Sequence, residues 1–209
     1  MPADVNQTGG GDYHIRSLYF DTVDDRLYYE SLSGVDRRSK YRLRFYNLNT
    51  DFFRMERKDS VGNLKQKYSE AADLDTALSF LKNGSAPDTG DGVLHEVFVL
   101  GRTEGLHPVT VVDYFRTAFT YPVGNVRITL DRNIACTFRI EEFLDKNALL
   151  YPVLPYGRHV LEIKYDGILP GFIKELVQTG ELERVSFSKY AYARSVIDGN
   201  GRKEDGYEF

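Results

Sequence analysis

Residues 40–46, KYRLRFY, alternate basic with apolar side chains. Successive side chains of a β-strand point to opposite faces, so Lys40, Arg42 and Arg44 would share one cationic face. Guanidinium groups bind phosphate oxygens through paired hydrogen bonds, and a row of them could therefore bind a phosphorylated ligand. The alternative is the solvated face of an ordinary antiparallel sheet.

The same alternation recurs in five further segments, so it belongs to a whole sheet rather than to one strand. These segments are 52–58, 64–68, 113–119, 125–131 and 160–165. Together with 40–46, their polar faces carry ten basic residues and three acidic ones: Lys40, Arg42, Arg44, Arg54, Lys58, Lys65, Lys67, Arg116, Arg127 and Lys164, against Glu56, Asp131 and Glu162. The formal net charge of the chain is −4, yet basic residues far outnumber acidic ones on these polar faces. Cations are therefore concentrated on one side of the sheet.

A cationic face of this kind could line the inside of a closed sheet, with the apolar faces outward under helices. Unpaired buried charges are costly, so such a channel would hold water, anions or both. About eight strands leave room for side chains or one slim ligand, and a slender phosphorylated polyanion fits best. Glu56 and Glu162 lie among these cations. They either form ion pairs or hold Mg²⁺ or Mn²⁺ together with phosphate oxygens.

The elements that must position these residues follow an order typical of an α+β chain. Period-two patterns predict strands at 13–20, 37–47, 52–59, 63–71, 108–120, 125–138 and 159–166. Helical periodicity and helix-end signals predict helices within 21–34 and at 73–82, 93–104, 169–179 and 186–198.

Composition excludes several classes of protein. A net charge of −4 and a pI of about 5.6 argue against a nucleic-acid binder. Cys136 is the single cysteine, so no disulfide framework exists and a reducing compartment is the default. Neither a P-loop nor a dinucleotide-binding glycine motif is present. With no apolar run long enough to span a bilayer, the sequence predicts a cytoplasmic protein without direct membrane insertion, and any association with a membrane would need a partner.

Seven segments, taken in chain order, carry a resemblance to a known family: YHIRSLYFDT, KYRLRFY, MERK, YFRTAF, VRITLD, LEIKY and FSKY. Together they resemble the VTC domain, the catalytic domain of polyphosphate polymerases within the triphosphate tunnel metalloenzyme, or CYTH-like, superfamily. The resemblance spans residues 12–198, which leaves 1–11 as a flexible N-terminal segment and 199–209 as a C-terminal tail. It implies an antiparallel eight-stranded β-barrel, or tunnel, with helices packed outside.

The resemblance also implies roles for individual residues. Glu162 in LEIKY would be the metal ligand, and Glu56 in MERK is a second metal candidate because it lies among cations. Ser188 in FSKY would contact phosphate from the start of the last helix, where N–H groups favour an anion. Apart from the resemblance, Tyr13, Tyr19 and Tyr114 are expected to pack on the sheet faces, with phosphate contact as the alternative. The residues expected to bind phosphate and take part in catalysis are Arg42, Arg44, Lys58, Lys67, Arg116, Arg127 and Lys189.

The implied activity is transfer of the γ-phosphoryl group of ATP onto a growing polyphosphate chain, with Mn²⁺ or Mg²⁺ as cofactor. Two alternatives remain open: a tunnel triphosphatase that hydrolyses ATP or inorganic triphosphate, and a non-catalytic module that binds polyphosphate. Family members usually carry a further strand and helix before YHIRSLYFDT, and few residues precede that segment here. The tunnel is therefore expected to lack the first strand of the family. Ser186 stands where the family often has a basic residue.

Overall fold

The computed structural model describes residues 11–62, 64–178 and 182–197. These residues form an antiparallel sheet of eight strands with helices packed against it, which confirms the predicted α+β class. The predicted N-terminal segment lies outside the described residues apart from Gly11. Asn63, the first residue of one predicted strand, and the predicted tail 199–209 lie outside them as well.

The strand order in the sheet is β4-β3-β2-β1-β5-β6, and β6 pairs with both β7 and β8 along different parts of its length. The strands are β1 Tyr13–Asp21, β2 Arg37–Tyr46, β3 Phe53–Val61, β4 Leu64–Ala72, β5 His107–Tyr121, β6 Val126–Thr137, β7 Tyr151–Pro152 and β8 Val160–Lys164. The seven predicted strands all form; β7, with only two residues, has no alternation from which it could be predicted.

The described helices flank the sheet at the predicted places, with some shifted ends. They are α1 Arg26–Ser33, α2 Leu74–Asn83, α3 Gly92–Thr103, α4 Gly171–Val177 and α5 Lys189–Ile197, together with short 3-10 helices at Val123–Asn125 and Ile140–Leu144. α1 lies within the predicted range 21–34 and begins at Arg26, directly after Asp25, whose backbone is left-handed (φ 56°). Gly34 ends α1 in the same left-handed region (φ 66°), where a glycine is favoured.

The outer face of the sheet is the face that α2, α3 and the 3-10 helix Ile140–Leu144 cover. It holds the larger hydrophobic cluster, because alternate residues along much of β1, β2 and β3 are apolar and point to this side. The sheet residues of this cluster are Leu18, Phe20, Tyr41, Leu43, Phe45, Phe53, Met55 and Val111, and the helices contribute Ala77, Phe80, Val93, Leu94, Val97 and Phe143. Each large side chain buried here stabilises the fold by roughly 1.5–3 kcal/mol.

The inner face is the opposite one, and the sheet curls around it into a tunnel-like shape. Lys58 on β3 is close enough to Lys164 on β8 for the two charges to repel, although these strands are far apart in the strand order. The predicted eight-stranded antiparallel tunnel with outer helices is therefore confirmed. The ring of backbone hydrogen bonds does not close: within the described ranges, no pairing joins β4 to β7 or β8.

One part of the inner face is apolar, and α5 covers it. Tyr19 of β1 stacks on Tyr190 of α5, with ring centroids 5.2 Å apart. Asp21, fully buried at the end of β1, ties this arrangement together. Its carboxylate accepts hydrogen bonds from the amides of Leu27 and Tyr28 in α1, both at 2.8 Å, and from the Tyr190 hydroxyl. Asp21 thus fixes the position of α5 relative to the sheet.

Replacing Asp21 with alanine is expected to lower the free energy of unfolding by about 3 kcal/mol or more. The change leaves two helix amides and the Tyr190 hydroxyl without their acceptor, and each buried donor left unpaired costs about 1–3 kcal/mol. Urea titration followed by circular dichroism measures the effect. Asp51→Ala, at an exposed position, is the matched control and should change stability by less than about 0.5 kcal/mol. Equal stability of the two variants would contradict the role of Asp21.

Candidate functional site

The strand register places the predicted charged residues together on the inner face. Directly opposed residues in antiparallel strands share a face. Tyr19 is opposite Arg42 and Tyr13 opposite Arg116, which links both halves of the sheet through β1. The other opposed pairs are Lys40 with Lys58, Arg42 with Glu56, Arg44 with Arg54, Lys58 with Lys67, Ser60 with Lys65, Arg116 with Asp131, Arg127 with Lys164 and Thr129 with Glu162. All ten basic and three acidic residues of the pattern therefore face inward.

Glu56 is the centre of a first charge cluster, on β2, β3 and β4. Its side chain is 1% exposed, and its Oε2 atom accepts a hydrogen bond from Arg42 Nε at 2.7 Å. The Nη1 atom of Arg44 lies 3.7 Å from the same oxygen, and Lys67 Nζ contacts Oε1. Burial opposes ionisation, but Arg42 and Arg44 lower the pKa of Glu56 to about 2. Of the two predicted roles for Glu56, this geometry matches ion pairing; metal binding by this residue stays a prediction.

The stability of the protein in acid is expected to depend on Glu56. Its folded-state pKa of about 2 lies below the ordinary 4.5, so its contribution is complete above pH 4.5 and disappears as the pH falls towards 2. The difference corresponds to about 3 kcal/mol. Urea unfolding at a series of pH values should show this loss in the wild type and a flatter profile in Glu56→Gln. Glu141→Gln, on the exposed surface, should keep the wild-type profile; parallel profiles for all three proteins would contradict the assignment.

Asp131 is the centre of a second cluster, on β5, β6 and α5. Arg116 donates two hydrogen bonds to its carboxylate, from Nε at 2.5 Å and from Nη2 at 2.7 Å. Lys189, the first residue of α5, places Nζ 2.5 Å from Oδ2. Asp131 is fully buried; burial opposes ionisation, yet Arg116 and Lys189 hold its pKa below the usual range. The second cluster explains how the last helix brings Lys189 onto the inner face.

Two buried tyrosines, Tyr19 and Tyr114, lie between these clusters. Their rings pack within the sheet, and their hydroxyl groups also take part in polar contacts. Arg42 donates a hydrogen bond to the Tyr19 hydroxyl at 3.1 Å, and Arg44 donates one to the Tyr114 hydroxyl at 3.3 Å. Lys189 Nζ lies 4.9 Å from the centre of the Tyr114 ring, a cation–π distance. Burial would raise the pKa of Tyr19, but Arg42 and Arg44 outweigh it and lower that pKa to about 8.

Ser188 and Lys40 join β2 to the start of α5. Lys40 Nζ donates a hydrogen bond to Ser188 Oγ at 2.7 Å, and the same hydroxyl accepts the amide of Ala191 at 3.3 Å. Desolvation by burial lowers the pKa of Lys40 to about 8. Ser188 thus lies on the inner face, where its hydroxyl contacts a lysine. That lysine, Lys40, was part of the predicted cationic face but was not predicted as a site residue. Its contact with phosphate stays a prediction.

Glu162 differs from the other two inner carboxylates in its accessibility. Its side chain is 41% exposed, and the ion pair that it forms with Lys164 has a distance of 3.3 Å. Burial opposes ionisation, but the charges of Lys164, Lys189 and Arg116 keep the pKa of Glu162 below its ordinary value. The described residues contain no group of three His, Cys, Asp or Glu side chains that could hold a metal ion. Glu162 therefore fits a divalent cation only in the mode where substrate phosphates supply the other oxygens.

The structure brings all the predicted site residues to one face but divides them by environment. Arg42, Arg44 and Lys67 contact Glu56, and Arg116 and Lys189 contact Asp131. Lys58 and Arg127 lie nearer the margin of the sheet, where Lys58 is coupled to Lys164 and Arg127 is opposite Lys164. Two hydroxyls on this face were not predicted as site residues: Ser17, which accepts a hydrogen bond from Arg44 at 3.1 Å, and Thr129, which the alternation of β6 places on the polar face. An uncharged hydroxyl gives no signal in a pattern of charges.

A curled antiparallel sheet with a cationic inner face and buried countercharges is the arrangement expected of a triphosphate-binding tunnel fold. The family model for the VTC domain matches residues 1–197, and the chain belongs to this family. A solved structure from Bacillus halodurans, described as a "putative adenylate cyclase", has a TM-score of 0.51 and 17% identity, over 87% of this chain and 81% of that chain. That likeness supports the fold. No curated protein matches this sequence.

Among the helices described, none combines the length and the apolarity needed to cross a lipid bilayer.

Proposed function

We propose that this chain is a metal-dependent polyphosphate polymerase that extends a polyphosphate chain with the γ-phosphoryl group of ATP. The observation that carries the proposal is the pair of buried carboxylates, Glu56 and Asp131, each surrounded by inward-facing cations. The VTC family supplies the class of reaction, and the structure supplies the geometry that a linear polyanion would meet.

The two clusters explain how so many cations can be kept on one face before a ligand binds. Glu56 and Asp131 neutralise part of their charge and fix the direction of each guanidinium group. The remaining lysines and arginines are in excess over the acids, so the inner face is left with a positive charge that phosphate oxygens can neutralise. Because the arginine geometry is already fixed, little side-chain entropy is lost on binding.

Phosphoryl transfer would take place beside Glu162. The terminal phosphate oxygen of the polyphosphate chain would form a bond to the γ-phosphorus of ATP, while the bond from that phosphorus to the β–γ bridging oxygen breaks and ADP leaves with the electron pair. Lys58, Arg116 and Lys189 would stabilise negative charge on the transferring group. Glu162 would hold Mn²⁺ or Mg²⁺, which supplies additional charge neutralisation when bound.

A triphosphatase is the second candidate, and the open margin of the sheet favours it. Lys67 is 52% exposed, and no described pairing closes the gap between β4 and β8, so water can reach the inner face from this side. The same phosphate-binding geometry would then position water instead of a polyphosphate oxygen as the nucleophile. A non-catalytic polyphosphate-binding module is the third candidate and needs only the cations.

Incubation with γ-³²P-labelled ATP and Mn²⁺, followed by gel electrophoresis and thin-layer chromatography, separates the three functions. The proposal expects a ladder of labelled polyphosphate that disappears when EDTA is added. Release of labelled phosphate alone would establish the triphosphatase instead. Absence of both products, with retained binding of polyphosphate in a gel-shift assay, would establish the binding module.

A further inference from the structure

Thr129, in the middle of β6, has a buried hydroxyl that nothing in the fold explains. The residue is 4% exposed, and its Oγ1 atom has no hydrogen-bond partner among the residues that the structure describes. Two other buried hydroxyls of the inner face are satisfied: Ser17 accepts from Arg44, and Thr110 donates to the carbonyl of Thr137 at 3.0 Å. A buried polar atom without a partner commonly indicates a position that a water or an ion fills.

The strand register sets Thr129 beside Glu162. The two residues are directly opposed on β6 and β8, so their Cβ atoms are about 4.5–5.5 Å apart on the inner face. On its other side Thr129 is opposite Ala118 of β5, whose methyl group contributes no polar atom. Asp131, two residues further along β6, has its oxygens bound by Arg116 and Lys189. Glu162 is therefore the neighbouring carboxylate with an accessible side chain.

We infer that Thr129 is a positioning residue of the divalent-cation site at Glu162: its hydroxyl hydrogen-bonds a water in the hydration shell of the cation that Glu162 binds. The inference rests on the metal-binding role of Glu162 in the proposed function. Mg²⁺ and Mn²⁺ sites built from one carboxylate and substrate phosphates keep several water ligands, and those waters need hydrogen-bond partners from the protein. Thr129 supplies one where the cationic neighbours cannot, since a lysine or guanidinium group has no acceptor.

A hydroxyl suits this position better than a second carboxylate would. It can accept a hydrogen bond from metal-bound water without adding charge that would repel an incoming phosphate. Its rigid, β-branched side chain also fixes the direction of that hydrogen bond. The cation would consequently be held at one orientation relative to the phosphate chain rather than rotating about the single carboxylate.

The test measures Mn²⁺ binding directly, so it does not depend on turnover. Mn²⁺ is titrated into the wild type, Thr129→Val and Thr129→Ser, each saturated with inorganic pyrophosphate as the source of phosphate oxygens, and the longitudinal relaxation of water protons reports both affinity and the hydration of the bound ion. Thr129→Val, which keeps the shape and removes the hydroxyl, is expected to weaken Mn²⁺ binding about tenfold, as is typical for the loss of an outer partner of a metal site. Thr129→Ser is expected to remain within about twofold of the wild type.

The melting temperature provides the second readout. It shows whether a change in Mn²⁺ binding arises from damage to the fold. Without metal, Thr129→Val should melt at or above the wild-type temperature, because replacing an unpaired buried hydroxyl with a methyl group removes a desolvation cost. With Mn²⁺ and pyrophosphate, the wild type should gain more in melting temperature than the variant. If Thr129→Val does not fold, Thr129→Ala takes its place with the same expectation for Mn²⁺ binding, while its own melting temperature should fall because it also removes a buried methyl group.

The outcomes separate this inference from the proposed function. Wild-type Mn²⁺ affinity in Thr129→Val, together with loss of affinity in Glu162→Gln, would overturn the role of Thr129 alone. Wild-type Mn²⁺ affinity in Glu162→Gln would overturn the metal site of the proposed function and this inference with it.

Discussion

Replacing Arg42 and Arg44 together with alanine is expected to weaken binding of inorganic triphosphate by about two to four orders of magnitude. Each charge-assisted contact contributes about 1.5–3 kcal/mol, and both guanidinium groups are already oriented towards the inner face by Glu56 and by the phenols Tyr19 and Tyr114. Isothermal titration calorimetry measures the affinity. Unchanged affinity would mean that the alternating pattern of β2 serves the fold rather than a ligand.

The same double variant should also lose about 3–5 kcal/mol of stability. Glu56 would stay buried after losing two of its three cationic neighbours, with Lys67 as the remaining one. Adding Glu56→Gln should restore much of that stability without restoring binding. Arg57→Ala is the matched control. Arg57 lies on β3 but points to the outer face, where it pairs with Asp59 and Glu96, so its loss should affect stability and leave triphosphate affinity unchanged.

Glu162→Gln is expected to lower metal-dependent turnover by about a hundredfold or more while leaving the affinity for triphosphate equal or slightly higher. The amide keeps the shape of the side chain but loses the charge that a hard divalent cation requires. Removing one negative charge beside Lys164, Lys189 and Arg116 also makes the inner face more attractive to an anion. Initial rates at several Mn²⁺ concentrations and calorimetry in EDTA measure the two effects separately.

Glu141→Gln provides the control for this change, because Glu141 is an exposed glutamate on the 3-10 helix Ile140–Leu144. Its rates should match those of the wild type. If Glu162→Gln also keeps wild-type rates in Mn²⁺, then Glu162 acts as an ion-pair partner of Lys164 and the cation, where one is needed, binds elsewhere.

The pattern of side chains predicted the two faces of the sheet correctly because a strand has a fixed period of two. Lys58, Arg116 and Glu162 belong to different strands, yet each lies on the inner face as the alternation requires. Helix positions followed in the same way from apolar periodicity and from glycine stops such as Gly34. Local rules sufficed for these features, since the cause of each lies within a few residues.

The different environments and roles of the acidic residues could not be predicted from the alternating pattern. Glu56 and Glu162 both alternate with apolar residues, but one is 1% exposed and bound by cations while the other is 41% exposed. That difference arises because Arg42 is opposite Glu56 in the β2–β3 register, whereas Glu162 lies on the last strand of the sheet. The contact between Asp131 and Lys189 likewise depends on the docking of α5, which Asp21 and Tyr190 fix from a distant part of the chain.

The open margin between β4 and β8 has a mechanical consequence. No backbone hydrogen bonds join these strands in the described ranges, and Lys58 and Lys164 repel each other across the gap. A polyanion lying between the two lysines would replace that repulsion with attraction and favour a narrower gap. We therefore expect the diameter of the tunnel to respond to the ligand that it holds and, because salt screens charges beyond about 8–10 Å, to the ionic strength around it.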